Sequence, residues 1–398
     1  MPENPALRPE TLLQHLGEDH HYAGAVTPPI FQTSLFVYDK IDDFAAAFDY
    51  HPDGPYIYSR GGNPTLTAAE KKIAMLEKAE ACRLFASGMA AISAAILSCV
   101  KQGDHIVAVD TCYGPTRQFF VDYLPKFGVT TEFVVGEDPE DFVKASKPNT
   151  VLYYLESPSS LLFRLQDLTA VAQIAKERGI STIIDNSYAS PYFQSPIEFG
   201  IDIVVHSATK YISGHSDAVS GCLCTSHERM KEICKNEYSL LGGALAPFPA
   251  WLILRSLRTL PIKMKAHQEA GTAVAEWLET QDWIEEVIYV GSDSFKQSEL
   301  RDRQMRGTGG QVTFVPKCQD EAKLYHFIEH LQIFQLGVSW GGYESLSVPI
   351  KVHPMDWPEP KYVIRLFVGL EDPQDLMKDL LQAAEKTGVN QESVLTVG

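Results

Sequence analysis

The sequence lacks the features that would mark a membrane, nucleic-acid-binding or disulfide-stabilised protein. Its longest apolar run, residues 89–100, is too short and too interrupted by serine to span a bilayer. Basic residues are scarce, with 34 Lys and Arg against 51 Asp and Glu, and the net charge of −17 argues against a nucleic acid or a membrane surface as a partner. The seven cysteines have no regular spacing, which favours a reducing, cytoplasmic compartment.

Three further absences narrow the class of protein. The sequence contains no internal repeat and no low-complexity segment, and its polar, proline-rich first residues do not predict a secretory signal. Cys222 and Cys224 have no second ligand pair nearby, so we predict that they pack within a strand and bind no metal. With 398 residues, 45% of them hydrophobic, the chain is predicted to be globular and long enough for two domains.

The alternation of strand-like and helix-like segments predicts an α/β fold with a mostly parallel sheet between helices. This large domain is predicted over residues 61–255, after an N-terminal arm (residues 1–60) and before a smaller C-terminal α/β domain (residues 256–398). A long helix, residues 248–280 with a kink at Pro261, is predicted to join the two domains. The predicted strands are residues 105–109, 130–135, 150–156, 181–185, 202–206, 311–315, 335–338 and 363–368.

A lysine between two hydroxyl groups is the most informative local feature. Lys210 lies in the run 207–211 (Ser-Ala-Thr-Lys-Tyr), which follows an apolar, strand-like stretch. An enzyme that uses pyridoxal phosphate (PLP) needs an amine that holds the cofactor aldehyde as a Schiff base, and donors that hold its phosphate. Lys210 suits the first role, and Ser207 and Thr209 suit the second.

A carboxylate and a turn of small residues upstream complement this lysine. Asp185 ends a predicted buried strand, and ligands collect at the carboxyl ends of strands in open α/β sheets. An anion there can keep the pyridine nitrogen of the cofactor protonated, although Asp185 could instead cap the following turn. Gly88 and Met89 open a helix after a short strand, where free amide groups suit a phosphate. An ordinary strand-turn-helix connection is the alternative.

Together these residues resemble the Cys/Met-metabolism family of PLP-dependent enzymes, which has the aspartate aminotransferase fold (fold type I). The family includes cystathionine β- and γ-lyases, cystathionine γ-synthase and methionine γ-lyase. The most specific motifs are the lysine run and residues 58–65 (Tyr-Ser-Arg-Gly-Gly-Asn-Pro-Thr). The resemblance covers residues 24–371, and its other motifs are residues 24–30, 87–91, 113–116, 156–158, 185–186, 214–217 and 365–371.

The resemblance implies a role for each matching residue. Lys210 would form the Schiff base and move protons, Asp185 would pair with the pyridine nitrogen, and Tyr113 would stack on the cofactor and face the leaving group. Arg365 would bind the substrate carboxylate, with Ser339 beside it. An exposed salt bridge is the alternative for Arg365, and simple packing for Tyr113. The residues that would bind the phosphate are Gly88, Met89, Ser207, Thr209 and, reaching into a neighbouring subunit, Tyr58 and Arg60.

By this resemblance, Tyr58 and Arg60 imply a homo-oligomer with a dimer-forming active site, and family members are usually tetramers. Within the family, the residues Trp340, Pro115 and Ser160 resemble bacterial cystathionine β-lyases. Other members of the family commonly carry Leu at the position of Trp340 and Asn at the position of Ser160. At the position of Pro115, methionine γ-lyases carry Cys and most others carry Gly. Val338 stands where synthases and γ-lyases that act on cystathionine usually carry Glu, although methionine γ-lyases also have Val there.

We therefore predict a carbon–sulfur lyase that catalyses β-elimination on cystathionine or another S-substituted cysteine and gives a thiol, pyruvate and ammonia. A γ-lyase or γ-synthase acting on a homoserine-type amino acid is the alternative. Tyr238 lies in a segment that resembles the active-site tyrosine of the β-lyases, so Tyr238 and Trp340 are predicted substrate contacts. A core tyrosine is the other interpretation of Tyr238.

Two hypotheses from other classes are weaker. Residues 214–218 (Gly-His-Ser-Asp-Ala) come within one residue of the nucleophile motif of serine hydrolases, but they end in Ala where Gly is needed. A non-enzymatic α/β binding protein would leave Lys210 without a role.

Overall fold

The structure, a computed structural model, describes residues 7–18, 22–48 and 54–391. Its strands are β1 Ala81–Phe85, β2 His105–Val109, β3 Thr130–Val134, β4 Thr150–Glu156, β5 Ser181–Asp185, β6 Ile203–His206, β7 Gly221–Thr225, β8 Ile284–Ile288, β9 Gln311–Pro316, β10 Gln335–Leu336, β11 Leu346–Val352 and β12 Lys361–Phe367.

Its helices are α1 Pro9–His15, α2 Ile41–Ala46, α3 Pro64–Glu77, α4 Gly88–Leu97, α5 Gly114–Gln118, α6 Glu140–Ala145, α7 Leu168–Arg178, α8 Ser190–Phe193, α9 His227–Ile233, α10 Ser239–Leu241, α11 Pro247–Leu257, α12 Leu260–Glu279, α13 Ser298–Gln304, α14 Glu321–Glu329 and α15 Pro373–Thr387. Short 3₁₀ or π-helical segments are Tyr22–Gly24, Phe119–Tyr123, Leu124–Phe127, Pro196–Phe199 and Cys234–Tyr238. Among the helices of the described segments, none combines the length and the hydrophobicity that a bilayer crossing requires.

Seven strands form the large sheet, in the order β1-β7-β6-β5-β4-β2-β3. The strands from β6 to β3 run parallel, whereas β7 is antiparallel to both of its neighbours. Every residue of β2, β6 and β7 is buried, as expected for strands that are covered on both faces. The prediction of an α/β fold with a mostly parallel sheet is confirmed.

A second sheet, in the C-terminal part, has the order β10-β11-β12-β9-β8. It is antiparallel except for the β10–β11 pair, helices α12 and α14 pack against it, and α15 packs on these two helices in the same core. A smaller C-terminal α/β region is therefore present, as predicted. Strands β11 and β12 are joined by residues 353–360, a turn that reaches back towards the large sheet.

The sequence located most strands within a residue or two. The predictions for residues 105–109, 150–156 and 181–185 match β2, β4 and β5 to the residue. Strand β10 is shorter than the predicted residues 335–338, and strands β8 and β11 were missed. In β11 the apolar residues occupy every second position, but Pro349 lies inside the strand, which argues against a strand in a sequence-based prediction.

The predicted long helix is in fact two helices, α11 and α12, which are separated by Arg258 and Thr259. Pro261 lies in the first turn of the second helix instead of kinking a continuous one, because a proline in the first turn loses no helical hydrogen bond. Helix α12 contributes Leu260 and Met264 to the core of the large sheet, and its residues from Ala270 onward to the core of the second sheet. The predicted domain boundary at residue 256 stays a prediction, and the change of core lies within α12.

The N-terminal arm packs only partly on its own chain. Leu13 is fully buried in the main core, and its carbonyl accepts a 2.7 Å hydrogen bond from Lys72 Nζ. Further along, Val26, Val37 and Ile41 are among the most exposed large apolar side chains, at 84%, 88% and 77%. The first residues, on which the prediction about a secretory signal depends, lie outside the described residues.

Candidate active site

A cavity of about 870 Å³ lies between the carboxyl ends of the parallel strands and the second sheet. Its lining residues lie as far apart in the sequence as Ser87 and Arg365. They meet there because the strand ends of the large sheet face the loop before β11 and the inner side of β12. Of the thirteen residues predicted to form the site, ten line this cavity: Gly88, Met89, Tyr113, Asp185, Ser207, Thr209, Lys210, Ser339, Trp340 and Arg365.

Two buried carboxylates lie side by side at the strand ends. Glu156 and Asp185 are the last residues of β4 and β5 and are partners in the parallel register. Burial raises the pKa of Asp185, although the hydrogen bond from the Ser187 N–H to Asp185 Oδ1 (2.9 Å) opposes this rise. Burial, and next the neighbouring Asp185, raises the pKa of Glu156 to about 8. A cationic nitrogen placed against Asp185 would favour its ionised form.

The start of helix α4 forms a cradle for an anion. Ser87 caps the helix, since its Oγ accepts the Ala90 N–H at 3.1 Å. The amide groups of Gly88 and Met89 follow in the first turn, where no intrahelical acceptor is available to them. A Cβ on Gly88 would lie 2.9 Å from the Ser207 Cβ, so the close approach of helix and lysine turn requires glycine.

The two hydroxyl groups that flank Lys210 differ in their bonding. Ser207 lies against Gly88, and its backbone N–H donates to Ser187 Oγ at 2.7 Å. The Thr209 hydroxyl already donates to the Ser220 carbonyl and accepts the Ser220 N–H, both at 3.0 Å. Ser207 is therefore the readier phosphate donor, whereas Thr209 would have to exchange a backbone partner.

The amine of Lys210 faces the part of the cavity that the second sheet provides. Lys210 Nζ donates a 2.7 Å hydrogen bond to Ser339 Oγ and lies 5.4 Å from the centre of the Trp340 ring. Burial, and next the positive charge of Arg365, lowers the pKa of Lys210 to about 8, against the opposite effect of Asp185. About a tenth of the amine is therefore neutral at pH 7, far more than for an ordinary lysine, and this neutral form can act as a nucleophile or a base.

The loop before β11 packs directly against the turn that carries Lys210. Gly341 has a φ of +85°, and a Cβ there would lie 2.7 Å from the Tyr211 nitrogen. The neighbouring Trp340 packs edge-on against the Tyr211 ring at 5.4 Å. Glycine at 341 thus allows both the backbone conformation and the contact that places Ser339 beside the amine.

Arg365 is a buried cation with an unused donor. It lies on β12 with 7% of its surface exposed, and Nη2 donates to the carbonyls of Gly337 (3.2 Å) and Ser339 (3.1 Å). Its Nε finds no acceptor within the described part of the chain, and burial lowers the pKa of Arg365 to about 10. A substrate carboxylate would supply the missing acceptor and the missing negative charge.

Tyr113 is the most open of these groups, with 45% of its surface exposed. It immediately precedes helix α5, and its backbone N–H donates to Glu156 Oε2 at 2.7 Å. Burial, followed by the charges of Asp185 and Glu156, raises the pKa of the Tyr113 phenol. The neutral phenol is thus favoured, which leaves a ring that can stack and a hydroxyl that can donate a proton.

These groups fit PLP. The start of α4 and Ser207 offer donors for a phosphate, and Asp185 offers a buried carboxylate for the ring nitrogen. Lys210 offers an amine with a lowered pKa for the aldehyde. The unused Nε of Arg365 offers a separate place for the carboxylate of an amino acid.

A comparison with known protein families decides which class of enzyme this is. The profile of the family described as "Cys/Met metabolism PLP-dependent enzyme" matches residues 10–385. The chain belongs to this family. It is therefore an enzyme whose cofactor is pyridoxal phosphate and whose substrate is a small molecule, as predicted.

Curated relatives of the family share more than a third of their residues with this chain. An L-methionine gamma-lyase of Treponema denticola is 38% identical over 94% of this chain and 95% of its own. A cystathionine gamma-lyase of Bacillus subtilis is 36% identical (95% and 100%), and a cystathionine beta-lyase of Lactococcus lactis is 36% identical (91% and 95%). The crystal structure of metB from Corynebacterium glutamicum has a TM-score of 0.87 and 30% identity, covering 96% of this chain and 99% of that one.

Three predicted site residues lie outside the cavity. Tyr58 and Arg60 are exposed on the segment before α3, and the Arg60 guanidinium donates to the Ser239 carbonyl. This position is compatible with a contact to another subunit, which stays a prediction. Tyr238 is fully buried in the core, where its hydroxyl donates to the Leu84 carbonyl and its ring packs edge-on against Phe85. We therefore correct the interpretation of Tyr238 from a substrate contact to a core residue.

Sequence reasoning missed the far wall of the cavity. His353, Pro354 and Met355, in the turn after β11, line it together with Asp110, which follows β2. The Met355 N–H donates to Asp110 Oδ2 at 2.8 Å.

One residue further along the same turn, Asp356 Oδ1 lies 2.6 Å from Nη2 of the buried Arg164. Nothing in the local sequence signals these contacts, because the partners are 192 and 245 residues apart.

The structure also bears on two other sequence patterns. Cys82 joins Cys222 and Cys224, so that three buried sulfur atoms lie within 4.8 Å of one another, and Cys82 adds a single sulfur atom among the described residues and not a second ligand pair. Burial raises the pKa of the Cys82 and Cys224 thiols, which favours their neutral forms, whereas the burial of Cys222 is outweighed by hydrogen bonds with Cys224 and Cys82, which lower the pKa of Cys222. The Ser216 hydroxyl, at the centre of the hydrolase-like run, donates to Glu344 Oε1 and not to a histidine.

Proposed function

We propose that the protein is a PLP-dependent carbon–sulfur lyase that catalyses β-elimination on cystathionine or another S-substituted cysteine. The substrate and one water molecule would give a thiol, pyruvate and ammonia. The observation that carries this proposal is an amine of lowered pKa, Lys210, that shares one cavity with a buried guanidinium, Arg365, with an unused donor.

When bound, PLP supplies an electron sink for the negative charge that develops at the substrate α-carbon. Its phosphate would be held by the start of α4 and by Ser207, and its ring nitrogen by Asp185. Tyr113 would cover one face of the ring. These assignments stay proposals, and they agree with the lining of the cavity.

The substrate would be oriented by its carboxylate. Arg365 would bind the carboxylate through its unused Nε, and Ser339 would lie between this ion pair and Lys210. Lys210, with a pKa of about 8, would remove the α-proton. Lys210 or the neutral Tyr113 would then donate a proton to the departing thiolate.

The leading alternative is γ-elimination, or a γ-synthase reaction, on a homoserine-type amino acid. It is supported by the names of two of the relatives above, an L-methionine gamma-lyase and a cystathionine gamma-lyase. It requires a second proton removal, at the β-carbon, which Lys210 could also perform. We prefer β-elimination because Trp340, Pro115 and Ser160 are the residues that resemble bacterial β-lyases.

We also propose that the active enzyme is a homo-oligomer, a dimer at least and a tetramer by analogy with the family. The exposed apolar residues of the arm and the position of Tyr58 and Arg60 outside their own cavity support this proposal. The cytoplasmic location stays a prediction that rests on composition alone.

The first test is to supply the purified holoenzyme with L-cystathionine and to identify the keto acid. Pyruvate with homocysteine is the expected result. Formation of 2-oxobutyrate with cysteine would replace the proposal by the γ-lyase alternative. If neither forms, S-methylcysteine and methionine distinguish the two reactions by the same keto acids, and no product from any of the three would refute the lyase proposal.

A further inference from the structure

Glu156 is a cavity residue to which the proposed elimination assigns no role. It is 6% exposed, ends strand β4, and lies beside Asp185 in the parallel register. A buried carboxylate next to another carboxylate is costly unless hydrogen bonds compensate it. Two hydrogen bonds compensate part of this cost, although burial still raises the pKa of Glu156 to about 8.

Each carboxylate oxygen of Glu156 binds a different loop. Oε2 accepts the backbone N–H of Tyr113, at 2.7 Å, from the loop that follows β2. Oε1 accepts the hydroxyl group of Ser160, at 2.6 Å, from the loop that follows β4 itself. One side chain thus joins two loops that form adjacent parts of the cavity wall.

The Tyr113 ring has few other restraints. Its side chain makes no capping hydrogen bond to helix α5, and 45% of the residue is exposed. In the described part of the chain, no group forms a hydrogen bond with the Tyr113 hydroxyl that could hold the ring in place. The Tyr113 carbonyl accepts the Arg117 N–H of its own helix at 3.0 Å, so the bond from the Tyr113 N–H to Glu156 is the main-chain contact that ties the start of the ring to the large sheet.

The second contact of Glu156 comes from Ser160. Ser160 stands where the resembling family commonly carries an asparagine that contacts the cofactor and the substrate. Here the shorter Ser160 side chain turns its hydroxyl group to Glu156. The loop is thereby attached to the same carboxylate that holds Tyr113.

We propose that Glu156 is a positioning residue for the elimination, which sets the place of Tyr113 at the leaving group through the Tyr113 main chain. The inference rests on the proposed lyase function and on the role of Tyr113 in it. Glu156 touches neither the proposed substrate nor the cofactor in this scheme. Its effect on turnover is therefore transmitted through Tyr113, and it should disappear when the Tyr113 hydroxyl is removed.

A double-mutant cycle tests this transmission. The variants are Glu156→Ala, Glu156→Gln, Tyr113→Phe and the double variant Glu156→Ala/Tyr113→Phe, with Glu140→Ala on the exposed side of α6 as a matched control. Each is assayed as holoenzyme for kcat and KM, and its cofactor absorbance and melting temperature are recorded. Glutamine keeps an acceptor for the Tyr113 N–H, and its amide group can donate to Ser160 Oγ.

We expect Glu156→Ala to lower kcat by ~100-fold, the order of loss that a misplaced reacting group causes, with little change in KM. Glu156→Gln should regain at least about tenfold of this loss, since one retained hydrogen bond is worth that order of magnitude. In the Tyr113→Phe background, Glu156→Ala should change kcat by less than about twofold, because the two substitutions act as a unit. Glu140→Ala should behave like the wild type.

Additive losses in the double variant would overturn the proposal, as would a Glu156→Gln variant as inactive as Glu156→Ala. If Glu156→Ala fails to fold, the same cycle is run with Glu156→Gln, Ser160→Ala and Tyr113→Phe. Wild-type enzyme without any lyase activity would refute the proposed function instead. In that case the cofactor absorbance still tests the positioning: Glu156→Ala should shift the band as Tyr113→Phe does, and the double variant no further.

Discussion

The two walls of the cavity differ in how firmly their residues are held. On the large-sheet side, Asp185 and Glu156 end buried parallel strands and are 5% and 6% exposed. On the opposite side, the wall consists of a loop and a turn attached to the second sheet, where Val338 is 82% and Met355 61% exposed. Arg365 is the exception there, because it lies on strand β12.

This difference separates chemistry from selectivity. Groups that share a rigid sheet keep fixed distances, as the pairing of a cofactor with a carboxylate and an amine requires. Loops tolerate changes in length and sequence, so they suit the part of a site that selects among leaving groups. The substitutions below are expected to show large effects on kcat from the sheet side and smaller effects on KM from the opposite side.

Lys210→Ala should produce the largest effect, because it removes the reacting amine from the large-sheet side of the cavity. Loss of both the nucleophile and the base should lower kcat by about 10³-fold or more. The melting temperature should stay close to that of the wild type, and Lys265→Ala, on an exposed position of α12, is the control. Substantial elimination by Lys210→Ala, measured as keto acid formed, would refute the assigned mechanism.

Arg365→Leu tests the one firmly held residue of the opposite wall. The substrate carboxylate would lose a charge-assisted hydrogen bond, so KM should rise about 10- to 100-fold while kcat changes less. Arg365→Lys should recover only part of this loss, because an ammonium group cannot reproduce the forked geometry. An unchanged KM in steady-state assays would mean that the carboxylate binds elsewhere.

The same residue links the two walls electrostatically. The pKa of Lys210 is lowered to about 8 by burial and by Arg365, so its amine is neutral above this pH and charged below it. Acetic anhydride labelling of the cofactor-free protein, followed by mass spectrometry, should give a midpoint near this value. In Arg365→Leu the midpoint should rise, by up to about one unit, because a repelling charge is gone. A lower midpoint would contradict the arrangement.

Asp356→Ala should have the smallest effect. It removes the contact with Arg164 that helps to hold the turn after β11 across the cavity. Since Asp356 is about half exposed, we expect KM for a bulky S-substituted cysteine to rise by no more than about fivefold, with kcat unchanged. Glu359→Ala, in the same turn, is the control. A large loss of kcat in Asp356→Ala would contradict the proposal that the opposite wall affects KM and not kcat.

The sheet side could be predicted from the sequence because its chemistry is local. Asp185 ends a short apolar run, and Lys210 follows Ser207 and Thr209 closely, so the residues next to each one are enough to predict its role. The parallel fold then places strand ends together. Glu156 followed the same rule, and its position at the end of a correctly predicted strand was a signal that went unused.

The opposite wall could be predicted only through resemblance to a family. The turn that carries Met355 meets Asp110 across 245 residues, a distance over which periodicity carries no information. Tyr238 shows the limit of resemblance: its segment matched a motif, but the chain places the ring in the core against Phe85. A motif records residue types, and burial depends on how neighbouring elements pack.

Helix α12 has a consequence for how the chain can be divided. Its twenty residues form a rod of about 30 Å, with one end in the core of the large sheet and the other in the core of the second sheet. Neither sheet completes its apolar interior without part of this rod. Fragments cut on either side of it would each expose an unfinished core, so the enzyme is expected to unfold and refold as one cooperative unit.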